Sequence, residues 1–337
     1  MNMSGTESVG FKAQLRRWVQ VGGPFLGLVL VCLFFAFARD EFGEPARESI
    51  FKPGNLKIVL VQTVVVGIGA LGMTLVIVSG GIDLSAGSLV AFCSVLGARL
   101  IVAGSSPVVV VFLAVAAGVG IGLLNGGAIA GFRLLPFIVT LGSMSIVRGA
   151  AKWMGKNQAI SIPNDSGISA VMKVHSPETL FPLPHGVWIM LVLAAVTAVV
   201  LRQSVFGRHV VAVGSNESTA RLCGVRVRSV KVAVYALAGF FFGVAGVMQL
   251  SRLTQGDPTV AVGLELDIIA AVVIGGASLS GGSGSILGAI VGALLMALLR
   301  NGTSQLGWAN YVQEIIIGSV IVLAVGLDKW RQGRGRG

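Results

Sequence analysis

Charge is scarce in this chain: only 12% of its 337 residues are Asp, Glu, Lys or Arg, against 54% hydrophobic. A soluble fold of this length needs far more polar surface, so the composition excludes a soluble globular domain and belongs to a membrane protein. Cysteine is scarce too, and three are too few for a disulfide framework. Cys32 and Cys93 fall in apolar runs and Cys223 in a polar loop, where each reads as small apolar filler. The three histidines, His175, His185 and His209, are scattered, and there is no C-x-x-C, no serine nucleophile elbow and no G-x-x-x-x-G-K-S/T. The chain is therefore expected to hold no metal and no cofactor, to carry no catalytic residue, and not to bind ATP through a phosphate loop.

What is abundant is long apolar sequence. Runs suited to helices of roughly 20 residues fall near 22–38, 57–79, 86–104, 107–131, 134–151, 186–202, 230–250, 266–279, 284–301 and 311–327. They predict an all-α polytopic protein with about ten transmembrane helices. The eighth run is short, as for a discontinuous helix. The net charge of +11 sits at the ends of these runs rather than in one aromatic-interleaved patch, which argues for orientation in a membrane and against a nucleic-acid partner.

Cations cluster at Lys12, Arg16 and Arg17, at Arg202, Arg208, Arg221, Arg226, Arg228 and Lys231, and at Lys329, Arg331, Arg334 and Arg336. The positive-inside rule places all three groups in the cytoplasm, with six spans before the middle group and four after it. The expected organisation is a cytoplasmic tail at 1–21, a transmembrane domain at 22–328 with a cytoplasmic loop at 203–231, and a basic cytoplasmic tail at 329–337. Ala36-Phe37-Ala38 has the shape of a secretory cleavage site, although an uncleaved anchor fits the same residues. Two polar outward stretches, 39–56 and 152–185, either dock an external partner or are solvated connectors; the second contains Pro163, Asn164, Asp165, His175, Pro177 and Glu178.

One phrase occurs twice, G-G-I-D-L-S-A-G-S at 80–88 and G-G-A-S-L-S-G-G-S at 275–283, with six of nine positions identical. Glycine-rich polar backbone at membrane depth is tolerated where protein or a water-filled cavity satisfies its amides, so the repeat marks two related halves and a pathway. Asp83 is the sharpest residue, because an ionisable group at that depth is costly and faces a cavity or a partner. It either lines a solute route or caps the helix that follows. Ser85, Ser88 and Ser280 belong to the phrases, while Asn125, Thr140, Ser143 and Ser145 set small polar groups in apolar helices. These suit either a hydroxylated solute or interhelical hydrogen bonds. Glu265 and Asp267 open the eighth run, where they either complement the helix dipole or form a gate or docking site for an external protein.

Gly67, Gly69 and Gly72 spell a dinucleotide fingerprint but lack a preceding strand, and the second phrase lacks the lysine of a phosphate loop. Small residues four apart at Gly118, Gly122 and Gly126, at Gly239 and Gly243, and at Gly284, Gly288 and Gly292 predict close helix packing. In the basic loop, Ser215 and Asn216 offer an N-cap, Glu217 stands four residues before Arg221, and Gly224 ends a short helix. Such a helix fits either a groove on a partner or the lipid headgroups of the membrane.

G-I-D-L-S-A-G-S at 81–88, L-N-G at 124–126, L-P-F-I-V-T-L-G-S-M at 135–144, G-S-N-E-S-T-A-R-L-C-G-V at 214–225 and L-E-L-D-I-I-A-A-V-V-I-G-G at 264–276 together resemble the ribose-type permease family of bacterial ABC importers, over about 55–325. The resemblance implies a multi-pass permease of the bacterial inner membrane that carries a ribose-like pentose or a hexose. It implies an ABC ATPase subunit, a periplasmic sugar-binding protein and a second permease chain, identical or not, as partners. The short helix, carried over onto Asn216, Glu217, Ala220, Arg221 and Gly224, would receive motion from the ATPase. In the last span Ile317 precedes Gly318 where the family often has lysine. The alternatives are a permease for branched-chain amino acids or nucleosides, an ion-coupled secondary transporter using Asp83, and a scaffold that transports nothing.

Overall fold

The computed structural model describes residues 22–38, 50–175 and 179–333. The N-terminal tail, most of the first outward stretch, Lys12, Arg16, Arg17, Pro177, Glu178, Arg334 and Arg336 lie outside the described residues. The helices are α1 Gly22–Phe37, α2 Pro53–Val78, α3 Ala86–Val102, α4 Pro107–Phe132, α5 Pro136–Gly155, α6 His185–Gln203, α7 Val205–Ser215, α8 Glu217–Leu222, α9 Val227–Leu253, α10 Leu264–Ile274, α11 Ile286–Gln305 and α12 Asn310–Gly333. Every apolar run of the sequence holds one of them, and α7 and α8 fill the basic loop. Prolines start α2, α4 and α5, where the fixed φ suits the first turn and the missing N–H is no loss.

By length and composition, α2, α4, α6, α9 and α11 are sufficient to cross a membrane. The run at 266–279 ends early, since α10 stops at Ile274 with Gly275 as its C-cap. Eleven residues span only about 16 Å at 1.5 Å each, roughly half a hydrocarbon core.

Two helices of similar apolarity occupy opposite environments. α2 is buried nearly all round and packs against α9, α11, α10 and α6, so it forms the middle of the bundle. α4 is buried only along Val110, Ala114, Gly118, Gly122, Asn125, Gly126, Ile129 and Ala130, a stripe mostly four residues apart, and turns its large side chains outward. That stripe meets α9: a Cβ on Gly118 would overlap the Gly239 carbonyl, and one on Gly122 the carbonyl of Tyr235. Gly275 and Gly288 bring α10 and α11 together in the same way.

At the end of α9 remote from α8, β1 Ile160–Ser161 pairs antiparallel with β2 Gln255–Gly256, Ile160 opposite Gly256. Nearby, Ser251 ties the segment after β1 to α9, donating its hydroxyl to Ile168 O at 2.6 Å and accepting from Met172 N at 3.0 Å. A reciprocal amide pair joins α2 to α11, with Asn55 Nδ2 2.7 Å from Asn301 Oδ1 and Asn301 Nδ2 3.0 Å from Asn55 Oδ1.

Candidate functional site

The first phrase forms the turn between α2 and α3. Gly80 takes φ +83, a left-handed conformation that L side chains rarely adopt. Asp83 is buried, and its Oδ1 accepts from Ser85 N at 2.9 Å and from Ser85 Oγ at 2.5 Å. The carboxylate thus serves the N-cap residue of α3 rather than an amide deeper in the helix. Ser85 Oγ in turn accepts from Asn125 Nδ2 of α4 at 3.1 Å, and Ser88 Oγ donates to Ser85 O at 2.8 Å. From α5, Thr140 Oγ1 lies 3.3 Å from Ile82 O, and from α9 Tyr235 OH lies 3.4 Å from the same oxygen.

Five sequence-proposed residues, Asp83, Ser85, Ser88, Asn125 and Thr140, therefore form one buried polar cluster. Its one open valence is Asp83 Oδ2, buried without a hydrogen-bond partner among the described residues. Ser143 lies on the same buried stripe of α5 one turn on, and Ser145 faces outward.

The second phrase meets the first by backbone. Gly282 N donates to Val78 O at 2.9 Å, and a Cβ on Gly281 would come 3.0 Å from Gly80 Cα. Gly214 of α7 packs against both phrases. Ser280 is exposed, with its amide directed to Ser278 Oγ at 3.3 Å.

Glu265 and Asp267 both turn inward. Asp267 is buried and holds a two-pronged ion pair with Arg300, Nε to Oδ2 at 2.7 Å and Nη2 to Oδ1 at 3.0 Å. Glu265 Oε2 is buried against Gly87, whose missing side chain leaves the space it occupies. Beside it, Arg148 of α5 holds the segment before α10, donating Nη1 to Val260 O at 2.6 Å and Nη2 to Ala261 O at 3.2 Å. Asp267 is thus withdrawn from the surface, while Glu265 is half-buried.

In the basic loop, Asn216 is the N-cap of α8 and its Oδ1 accepts from Thr219 N at 2.9 Å. Gly224, at φ +82, closes the helix: Gly224 N donates to Arg221 O and Val225 N to Ala220 O, which satisfies two terminal carbonyls. Ala220 is buried beneath the helix while Leu222 is 89% exposed. Arg221 pairs with Glu217 at 2.8 Å as the spacing predicts, and Lys231 of α9 takes the other carboxylate oxygen at 2.7 Å. Sequence reasoning placed Lys231 among the cytoplasmic cations but not its pairing with Glu217, and it passed over Leu222, for which a leucine between Arg221 and Cys223 in a basic loop was the available signal.

The family described as "Branched-chain amino acid transport system / permease component" matches residues 55–325. This chain belongs to that family. The chain is 36% identical over 307 residues to the ribose import permease protein of Bacillus subtilis (strain 168), covering 91% of this chain and 92% of the relative. It is 37% identical over 310 residues to the L-arabinose ABC transporter permease protein of Azospirillum brasilense, covering 92% and 89%. With the fructose import permease protein of Rhizobium meliloti it shares 32% over 293 residues, 86% and 81% of the two chains. No solved structure matches. The protein is a multi-pass membrane protein of a transport family.

Proposed function

We propose that this chain is the membrane-spanning permease subunit of an ABC importer that carries a monosaccharide across the bacterial inner membrane. The observation that carries this reading is that relatives named for ribose, L-arabinose and fructose align over about nine-tenths of the chain. In it, ten spans place both termini in the cytoplasm. A separate ATPase subunit receives α8, a periplasmic binding protein delivers the sugar, and a second permease chain completes the assembly. The permease itself supplies no chemistry.

The mechanism is alternating access. An ATPase that changes shape moves the permease only if it binds the two permease states with different affinity. α8 suits that contact, because Leu222 stands free to enter a pocket while Glu217 carries force to Lys231 and so to α9. α9 packs along α4, α2 and α3, so its displacement reaches the Asp83 cluster and the backbone junction of the two phrases. Asp267, latched by Arg300, and Glu265, half-buried beside Arg148 and Gly87, then act as a gate at the far end.

The test is uptake of labelled D-ribose, L-arabinose and D-fructose into proteoliposomes holding this chain, its ATPase and its binding protein. ATP-dependent accumulation of a sugar is expected. Leucine uptake with no sugar uptake would instead favour the amino-acid transport that the family description prints, and uptake driven by an ion gradient would overturn the ABC assignment.

A further inference from the structure

Two cavities of mixed polar and apolar lining lie at the end of the bundle remote from α8. One of about 280 Å³ is bounded by α2, α9, α10 and α11, with Gln249, Asp267 and Arg300 in its wall. The other, of about 480 Å³, lies under the segment following β1, with Asn164, Ser169 and Lys173 in its wall. Gln62 and Arg252 line both, so they form the threshold between the two spaces. The larger has the size of ordinary small-molecule sites, roughly 300–1,000 Å³. Neither cavity includes Asp83, Ser85, Asn125 or Thr140.

The chemistry of the threshold is specific. Asp267 is fully engaged by Arg300, and Gln249 Oε1 accepts from Arg252 Nε at 3.2 Å, so these groups build the wall. What remains is an acceptor and a set of donors. Gln62 Oε1 is buried with no hydrogen-bond partner, and the two terminal amino groups of Arg252 have none among the described residues. Buried polar atoms are almost always paired, so an unpaired acceptor on a residue that lines both cavities marks a place for a polar molecule. A hydroxyl both donates and accepts, so adjacent hydroxyls satisfy Gln62 Oε1 and the Arg252 amino groups together.

We propose that these joined cavities are a holding site for a neutral polyhydroxylated solute, with Gln62 and Arg252 binding its hydroxyls before it passes further into the bundle. The inference rests on the monosaccharide reading above and names a site within it. The path runs from the larger cavity, over the threshold, to the smaller one beside the Asp267–Arg300 pair. Movement of α10 against α11 would then widen the exit.

The test has two arms on the full complex. In the first, Gln62→Ala and Arg252→Gln are assayed for ATP-driven uptake of whichever of D-ribose, L-arabinose and D-fructose the wild type carries. Because the binding protein sets the half-saturating sugar concentration, loss of a hydrogen bond to the solute inside the permease predicts that the sugar accumulated per ATP hydrolysed falls several-fold. In the second, Gln62→Cys, in a background with Cys32, Cys93 and Cys223 replaced, is labelled by a membrane-impermeant thiol reagent without the binding protein. The transported sugar is expected to slow labelling several-fold and a non-transported sugar to leave it unchanged, a result that a misfolded variant cannot mimic. Unchanged accumulation per ATP in both variants and unprotected labelling, in a complex that still accumulates sugar with ATP, would overturn the holding site and leave the importer intact. Failure of the wild-type complex to accumulate any of the three sugars would overturn both.

Discussion

Lys231, in the second turn of α9, places its ammonium 2.7 Å from Glu217 Oε2 and so joins the short helix α8 to a central helix of the bundle. Without that bond α8 would be attached through α7 and Asn216, the turn at Gly224 and its buried Ala220. Lys231→Met is expected to reduce sugar accumulated per ATP hydrolysed while changing stability by less than about 1 kcal/mol, because Glu217 is 40% exposed and water screens the pair. The double replacement Glu217→Ala and Arg221→Ala should uncouple more completely. Normal sugar accumulation per ATP in the double variant would remove α8 from the coupling route.

The same carboxylate makes a prediction about pH. The hydrogen bond from Lys231 chiefly, with the charges of Lys231 and Arg221 adding, holds Glu217 below the usual carboxylate range. A group whose pKa is lowered on folding contributes its stabilisation fully above its unfolded value, about 4.3 for Glu, and loses it as pH falls through the folded value. The stability difference between wild type and Glu217→Gln should therefore be flat from about pH 6 to 8 and shrink only in acid. Thermal unfolding of the two proteins in detergent across that range decides it; a difference that changes between pH 6 and 8 would assign the interaction to another group.

The positions of the helices were legible in the sequence because hydropathy and proline starts are local signals: Pro53, Pro107 and Pro136 each open a helix where an apolar run begins. α7 was not legible, since Val205, Phe206 and Gly207 read as loop. Only the structure shows Ser204 capping Gly207 N at 3.0 Å and Val210 and Val213 turned inward. Partners distant in sequence were not legible either. Asp267 and Arg300 are 33 residues apart and Glu217 and Lys231 are 14 apart, and no periodicity links them. Gln62, Gln249 and Arg300 each interrupt an apolar run, which was signal enough to suspect a polar site but not to show that it is shared.

Asp83 separates two mechanisms. Its Oδ1 accepts twice from Ser85, and an asparagine retains that acceptor while an alanine leaves a buried amide and hydroxyl unpaired, at a cost of about 1–3 kcal/mol. Asp83→Asn is expected to keep ATP-driven uptake and stability near wild type, and Asp83→Ala to lose both. A folded Asp83→Asn protein that no longer transports would show that the charge itself is required, which is the behaviour of an ion-coupled carrier.

Glycine placement on α4 gives a prediction with its own control. A Cβ at Gly122 would run into the Tyr235 carbonyl, which lies in helix backbone and cannot move without displacing α9, whereas a Cβ at Gly127 meets nothing within 4 Å. Both substitutions by alanine improve intrinsic helix propensity by roughly 0.5–1 kcal/mol, so propensity cannot distinguish them. Overpacking adds about 1–3 kcal/mol at Gly122 alone. Gly122→Ala should therefore lower the unfolding temperature in detergent and Gly127→Ala should hold or raise it. Because Tyr235 also reaches Ile82 O above Asp83, the shift forced by Gly122→Ala should weaken uptake as well. Equal unfolding temperatures for the two variants would mean that α4 and α9 do not approach at Gly122, and the buried stripe of α4 would lose its packing role.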